Sequence, residues 1–423
     1  MNSERSTFFS ISAKVNFYTA LLLVFAMPLV PHALPIIISL WILTFLLEGG
    51  FREKLVKWRN QPFVFALPLL YVVYFVSVSY STFRSVAMFD MEVKLSLFLI
   101  PPLLAASNKH YVNSRIKFMW TFIAANLLAS LICLVRGVLN TYSSTTPKDV
   151  PSGYYMTYEP LSFLVHTSYF SMYLVLAIMF IVYLLRKESL NAASKVFLII
   201  SGSIFIGMIY QVSARSGILS IILVSFIYIL FYVRLRKFNS LVKIGFVVFA
   251  VALLLLIFKY NVRFKSFFID RNNAPISNTN SIAGNNMRLL IWQVSMGIIG
   301  DNVVGGVGNG DIHSELNKGY SKLGLTQAAD LNLNVHNQFI ETFLGVGIFG
   351  FILLLMVFFY PAIVAWRRKD SLLMLFLILT SFNFMFESML STQAGIVFFC
   401  WFYAYLLFVK HDRESQPAFD KKQ

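Results

Sequence analysis

The sequence predicts an all-α polytopic membrane protein of about twelve transmembrane helices, with both termini cytoplasmic and one large folded loop outside. Three observations carry that expectation. Of 423 residues, 58% are apolar and only 13% are charged, whereas a soluble domain carries roughly 25% charged residues. Apolar stretches of about the length that crosses a bilayer recur along the chain. The basic residues, 35 Lys and Arg against 19 Asp and Glu, fall in short runs between those stretches and keep to one side.

Taken in order, the candidate spans are about 15–31, 34–48, 62–79, 84–105, 116–138, 161–185, 196–213, 215–233, 241–259, 338–362, 371–386 and 390–409. The first follows a polar stretch with Arg5 and Lys14 and has no small-x-small cleavage site after it, so it reads as an uncleaved span. The first two are short, and Pro31, His32 and Pro35 between them also suit a helical hairpin. Almost no loop separates the spans that meet near 213–215. With the N-terminus inside, the inside segments hold Arg52, Lys54, Lys57 and Arg59, then Lys109, Arg115 and Lys117, and later the run Arg367-Arg368-Lys369. Two outside segments are long, 139–160 and 260–337. The second has helix-compatible patterning at 287–299 and a glycine cluster, so it is expected to fold. The organisation is thus one integral membrane domain over 1–410, with a disordered cytoplasmic tail at 411–423. The net charge of +16 does not indicate nucleic acid, because the basic residues anchor loops instead of clustering on a soluble face. Cys133 and Cys400 both lie in apolar segments, so neither a disulfide framework nor a cysteine metal site is expected.

The residues able to carry chemistry gather toward the outer face. Arg215 stands in Gln211-Val212-Ser213-Ala214-Arg215-Ser216-Gly217, between two apolar spans. Such an arginine is costly unless it meets an anion, a carboxylate or water; it reads as a snorkelling interfacial residue or as a bidentate phosphate clamp. Arg288 opens the amphipathic stretch of the large loop in Met287-Arg288-Leu289-Leu290-Ile291-Trp292, as a solvated helix residue or a second clamp. Gly305, Gly306, Gly308 and Gly310 permit positive φ and close backbone approach to a ligand, although a plain turn explains them as well. His336 sits in Val335-His336-Asn337-Gln338-Phe339-Ile340-Glu341, where the loop re-enters the membrane. A helix N-terminus favours a neutral imidazole, which a general base requires, and favours a phosphate nearby. Gly345, Gly347 and Gly350 then allow tight helix packing.

His166, Arg136 and Glu387 lie in or near spans and are either functional or members of an ion-pair network. Asp90-Met91-Glu92 resembles an Asp-x-Asp metal motif superficially, but Asp90 and Lys94 are four apart and can pair on one helix. No zinc site, nucleophile elbow, nucleotide loop or other cofactor site is expected.

The islands Ser213-Ala214-Arg215-Ser216-Gly217, Arg288 with Trp292 and the 305–310 glycines, and His336-Asn337, in that order, resemble the O-antigen ligase and polymerase superfamily of bacterial inner membranes. The likeness covers roughly 160–400. It implies a fold like the metal-independent, lipid-carrier-dependent C-type glycosyltransferases. The implied reaction moves a glycan from undecaprenyl diphosphate to a hydroxyl acceptor in the periplasm, with inversion. Lipid A-core is the acceptor for ligases, another repeat unit for polymerases and a protein side chain for related enzymes. Diphosphate binding falls to Arg215 and Arg288, and activation of the acceptor hydroxyl to His336. Asn337, Gly308, Gly310, His166, Arg136 and Glu387 are further substrate-binding candidates. The expected partners are the lipid-linked donor, the glycan acceptor and membrane lipids, without nucleic acid. A transporter or lipid flippase also suits twelve spans, but repeated halves and midplane helix breaks, its usual marks, are not evident.

Overall fold

The computed structural model describes residues 2–143, 153–212, 214–232 and 284–409. The candidate span 241–259, the tail 411–423, Ser213 and the stretches 144–152 and 260–283 of the two outer segments lie outside the described residues. Everything described is helical or irregular, with no strand among the described residues. In chain order the α-helices are α1 (Asn2–Ala26), α2 (Leu34–Leu47), α3 (Phe51–Arg59), α4 (Ala66–Ser77), α5 (Arg84–Ala105), α6 (Lys109–Asn113), α7 (Arg115–Tyr142), α8 (Tyr158–Leu161), α9 (Thr167–Lys187), α10 (Ala192–Val212) and α11 (Arg215–Tyr232). After the undescribed stretch follow α12 (Gly284–Asp301), α13 (Ile312–Lys322), α14 (Thr326–Asp330), α15 (Gln338–Arg368), α16 (Ser371–Phe384) and α17 (Gln393–Phe408).

Among the described residues, five helices are long and apolar enough to cross a bilayer: α7, α9, α10, α15 and the Phe9–Ala26 part of α1. The pair Pro31–Leu47 and Phe51–Arg59, bent by 108°, makes a sixth if it is one span. Pro62–Ser77, Arg215–Ile229, Ser371–Phe384 and Gln393–Phe408 are apolar but shorter. The expected span at 84–105 does form a helix, α5, yet Asp90, Glu92 and Lys94 in its middle keep it out of the apolar set. The chain is a multi-pass helical membrane protein.

Two compact units make up the chain. The first contains Met1–Pro68, Leu95–Val212 and Gln393–Gln423. Its interior is strongly aromatic: Trp41 packs edge-on to Trp401 at 5.0 Å, and Phe122 meets Phe402 at 4.7 Å. A buried neutral network ties α1, α2 and α6 together there. Asn16 donates to the Trp41 carbonyl (2.9 Å) and Thr44 Oγ1 (3.1 Å), Tyr111 donates to Asn16 Oδ1 (2.6 Å), and Trp41 Nε1 donates to the Tyr111 hydroxyl (2.8 Å).

The second unit contains Leu69–Lys94 and Ser213–Thr392. The expectation that the large outer segment folds holds for its described part. Met287, Ile291, Val294 and Ile299 of α12, Ile312, Leu316 and Tyr320 of α13, Ala328 of α14, and Ile340 and Leu344 of α15 form one buried cluster. Burial pushes the Tyr320 phenol up, and its neutral hydroxyl donates to the Leu333 carbonyl at 3.0 Å. That bond ties α13 to the segment that ends in His336.

Candidate functional site

The second unit places three of the sequence-predicted residues in contact. His336 adopts φ 50°, a left-handed backbone that costs a non-glycine residue roughly 1–2 kcal/mol. Its neighbours hold it there. The His336 amide donates to Asn334 Oδ1 at 3.0 Å, and the Val335 carbonyl accepts Trp292 Nε1 from α12 at 3.0 Å. Asn337 then caps α15, its Oδ1 accepting the amides of Phe339 (3.0 Å) and Ile340 (3.1 Å). The amide oxygen of Asn337 is therefore occupied by the helix instead of facing a ligand, as an N-cap asparagine requires. Strain that surrounding bonds over-determine in this way concentrates at functional positions.

Glu387 meets both cationic candidates. One carboxylate oxygen lies 3.6 Å from an Arg288 terminal nitrogen, and the other lies 3.5 Å from His336 Nδ1. The Glu387 side chain is only 10% exposed, whereas Arg288 keeps 32% and His336 27%. The carboxylate is thus the buried member of the three, and the arginine and imidazole keep open surface. At 3.5 Å the His336–Glu387 contact lies within ion-pair range, but Nδ1 forms no hydrogen bond. Catalytic contacts are often this long before substrate binds.

Arg215 is the first residue of α11. A cation there opposes the helix dipole by roughly 0.3–1 kcal/mol, so helix stability does not explain its position. Together with the open amides of a helix start, it favours an anion. Asn383 Nδ2 donates to Ser220 Oγ (2.9 Å), joining the beginning of α11 to the end of α16, and the Asn383 carbonyl accepts the Glu387 amide (3.0 Å). Arg215 therefore stands at the end of α11 that adjoins the Glu387 segment.

Gly306, Gly308 and Gly310 lie against protein. Gly347 breaks α15 with φ 69° and ψ −166°, which frees carbonyls within the helix. Those of Leu344 and Gly345 accept the Val307 (2.8 Å) and Gly308 (3.0 Å) amides, and Ile348 donates to the Val303 carbonyl (2.9 Å). A Cβ on Gly306 would stand 2.6 Å from the Gly345 carbonyl carbon, and one on Gly308 2.6 Å from Ser81 Oγ. The Asn309 and Gly310 amides donate to Ser77 and Ser81 hydroxyls, both at 3.2 Å. Close backbone approach is what the cluster provides, as expected, but the partner is protein. Gly308 and Gly310 offer no open amide to a phosphate.

Arg136 and His166 fall in the first unit. Arg136 lies over the Phe163 ring at 3.8 Å, and His166 Nε2 is 3.9 Å from Glu159. The Asp90–Lys94 pair forms as the four-residue spacing implied, and Asn309 Nδ2 also donates to Asp90. Several polar residues of the site escaped sequence reasoning. Ser391 donates to Glu341, Gln338 Oε1 accepts the Leu390 amide (2.6 Å), and Thr342 shares hydrogen bonds with Gln338 (3.1 Å) and Tyr74 (2.8 Å). These bonds fasten the 387–391 segment along the first turn of α15. The signal available was weak: Gln338, Glu341 and Thr342 recur at helical spacing beside His336. Asp311 was also missed; its carboxylate accepts the Thr82 (2.7 Å) and Phe83 (2.9 Å) amides ahead of α5.

Residues 200–355 match a protein-family model described as O-antigen ligase. The matched stretch contains Arg215, Arg288, the 305–310 glycines and His336, and it ends before Glu387. No curated protein matches the chain.

Proposed function

We propose a mechanism from the premise that the chain belongs, through residues 200–355, to the O-antigen ligase family. The protein transfers a glycan from undecaprenyl diphosphate to a hydroxyl acceptor, lipid A-core being the first candidate, at the periplasmic face of the bacterial inner membrane. The contact of Glu387 with both Arg288 and His336 carries this reading. That contact brings a guanidinium and an imidazole to one carboxylate, and it supports a pairing of anion-binding and proton-accepting groups, which glycan transfer from a diphosphate needs.

Glu387 lies 3.5 Å from His336 Nδ1; when that contact tightens around bound substrate, the carboxylate accepts a hydrogen bond from the Nδ1 proton and leaves Nε2 as the base, since a histidine's tautomer follows its partner. The acceptor hydroxyl gives its proton to Nε2 while its oxygen bonds to the anomeric carbon. The bond from that carbon to the diphosphate breaks, and undecaprenyl diphosphate leaves with the electron pair. Direct displacement inverts the anomeric centre. Arg215 and Arg288 bind the diphosphate and stabilise charge as it grows there. Arg288 has five N–H donors, so its contact with Glu387 leaves donors for phosphate. Two guanidinium groups supply the electrophilic role that a metal plays in other transferases, and transfer with purified components is expected to be unchanged in EDTA.

The test uses purified protein and lipid-linked glycan, with lipid A-core, a second lipid-linked glycan and a protein offered separately as acceptors. Transfer to lipid A-core supports the ligase reading. Transfer only to the second glycan or only to protein assigns a polymerase or a protein-directed transferase, and no transfer to any acceptor overturns the reading.

A further inference from the structure

The helix that carries Arg288 is apolar on two opposite sides. At 100° per residue, Met287, Ile291 and Val294 of α12 face the buried cluster of the second unit. On the other side stand Leu289, 61% exposed, and Met296, 52% exposed, with Gly300 in line and Gln293 as the polar residue among them. The surface continues past the helix end through Val303 and Val304, 43% and 67% exposed. Their backbone is fixed at the break in α15, where the Val303 carbonyl accepts the Ile348 amide at 2.9 Å. A helix apolar all round is covered on both sides or meets lipid. Among the described residues α12 is not one of the helices apolar enough to cross a bilayer.

Charge and position select the occupant. Arg288 is half-buried at the border between the two faces, directly before Leu289. The exposed side is therefore mainly apolar, with Gln293 its polar member, and it has a cation at its border, the same order as hydrocarbon and phosphate across a membrane surface. Interfacial helices bury such a face about 5–10 Å into the boundary between head groups and acyl chains.

We propose that the stripe of Leu289, Met296, Val303 and Val304 docks into the acyl-chain boundary of the bilayer, laying α12 along the membrane. Arg288 is thereby held at head-group depth, where a lipid-linked diphosphate must lie. The second statement rests on the transfer reading above; the docking itself is measured without substrate.

The experiment uses the full chain with Cys133 and Cys400 replaced by Ser, in nanodiscs of phosphatidylcholine and phosphatidylglycerol. Nitroxide labels are attached to Leu289→Cys, Met296→Cys and Val304→Cys in turn, and to Lys318→Cys on α13 as the aqueous reference. Oxygen, which concentrates in lipid, is expected to relax the first three labels more than a water-soluble nickel chelate does, with the opposite order at 318. Relaxation dominated by nickel at 296 and 304 overturns the proposal, because the stripe then faces water. Protection from both agents also overturns it, because protein then covers the stripe, either another segment of this chain or a second copy. A Met296→Ser, Val304→Ser double variant is expected to raise KM for the lipid-linked donor several-fold with kcat unchanged. Lipid-facing labels on a protein that transfers nothing strike the transfer reading alone. Water-facing labels on an active protein strike the docking alone.

Discussion

Asn16 in the first unit and Glu387 in the second are both polar side chains among largely apolar helices, and they are built in opposite ways. Asn16 is 1% exposed and uses its amide hydrogens and its oxygen on Trp41, Thr44 and Tyr111 at 2.6–3.1 Å. Every member is neutral, and the bonds close on one another. Glu387 is a charge, meets Arg288 and His336 at 3.5–3.6 Å, and leaves both partners partly exposed. A closed neutral network holds helices in register. A charged contact with open surface is weak evidence for stability in itself, and the proposed function gives it a ligand to meet. The difference separates scaffold from site more sharply than burial does.

The largest effect expected of any substitution is at His336. His336→Ala should lower turnover by roughly 10²–10⁴-fold, the usual span for a general acid–base group, while binding of the lipid-linked donor stays near that of the unaltered protein. Single-turnover transfer with saturating acceptor, alongside donor binding by the detergent-purified protein, measures both. Near-normal turnover would move the base to another residue and reduce the His336–Glu387 contact to a structural one.

Much of this contrast was legible in the sequence. Arg215, Arg288 and His336 each stand out as ionisable residues beside apolar stretches, where charge is expensive. Glu387 was visible for the same reason, but its partners were not: residues 288, 336 and 387 lie far apart in the chain, and no local period relates them. The glycines at 305–310 pointed to a close approach of backbone to a ligand, and Gly306, Gly308 and Gly310 approach protein closely. What they approach depends on the break at Gly347, some forty residues later, so a sequence pattern cannot distinguish protein from ligand there. Asp90–Lys94 was readable because helix geometry alone brings residues four apart together. The helix at 84–105 was equally readable as a helix, whereas five helices among the described residues, or six with the bent pair, are long and apolar enough to cross a bilayer. Several apolar helices are shorter than a bilayer needs, and length in sequence overstates them once caps and bends trim each end.

The next effect falls on the arginines. Arg288→Ala or Arg215→Ala should weaken donor binding and also slow transfer, by roughly 10²–10³-fold for loss of one donor to developing charge. Lys at either position should restore only part of the rate, because an ammonium lacks the bidentate fork. At Arg288 the substitution also removes a partner of Glu387, so the two arginines separate the clamp from the contact. If Arg288→Lys restores full transfer, geometry at the diphosphate does not matter and the clamp is a simple field.

Gly308→Ala sharpens the division further. Gly308 has φ 93° and its added Cβ would stand 2.6 Å from Ser81 Oγ, so a loss of about 1–3 kcal/mol of stability is expected, the usual range for overpacking. Thermal unfolding in detergent should show that loss, with donor affinity of the folded fraction unchanged. A fall in donor affinity at unchanged stability would return the loop to the ligand.

The smallest effect on transfer is expected where the polar network is tightest. Asn16→Ala removes an acceptor for Tyr111 and donors to Trp41 and Thr44, but the backbone carbonyl of residue 16 stays 3.2 Å from the Tyr111 hydroxyl and Thr44 Oγ1 still donates to the Trp41 carbonyl at 2.9 Å, so the expected loss is about 0.5–1.5 kcal/mol per hydrogen bond removed. Tyr111→Phe deletes the hydroxyl that links Asn16 to Trp41 and takes the acceptor from Trp41 Nε1 and the donor from Asn16 Oδ1, so it should also destabilise, by about 1–3 kcal/mol, although the ring keeps its packing against Phe17 and Phe118. Neither side chain belongs to the unit that holds Glu387. Both variants should therefore lower the unfolding temperature while turnover per folded molecule stays within about twofold, a difference of less than 0.5 kcal/mol in the barrier. A large drop in turnover without a drop in stability would mean that the neutral network also reports to the site, and closure of a hydrogen-bond network would no longer distinguish scaffold from chemistry.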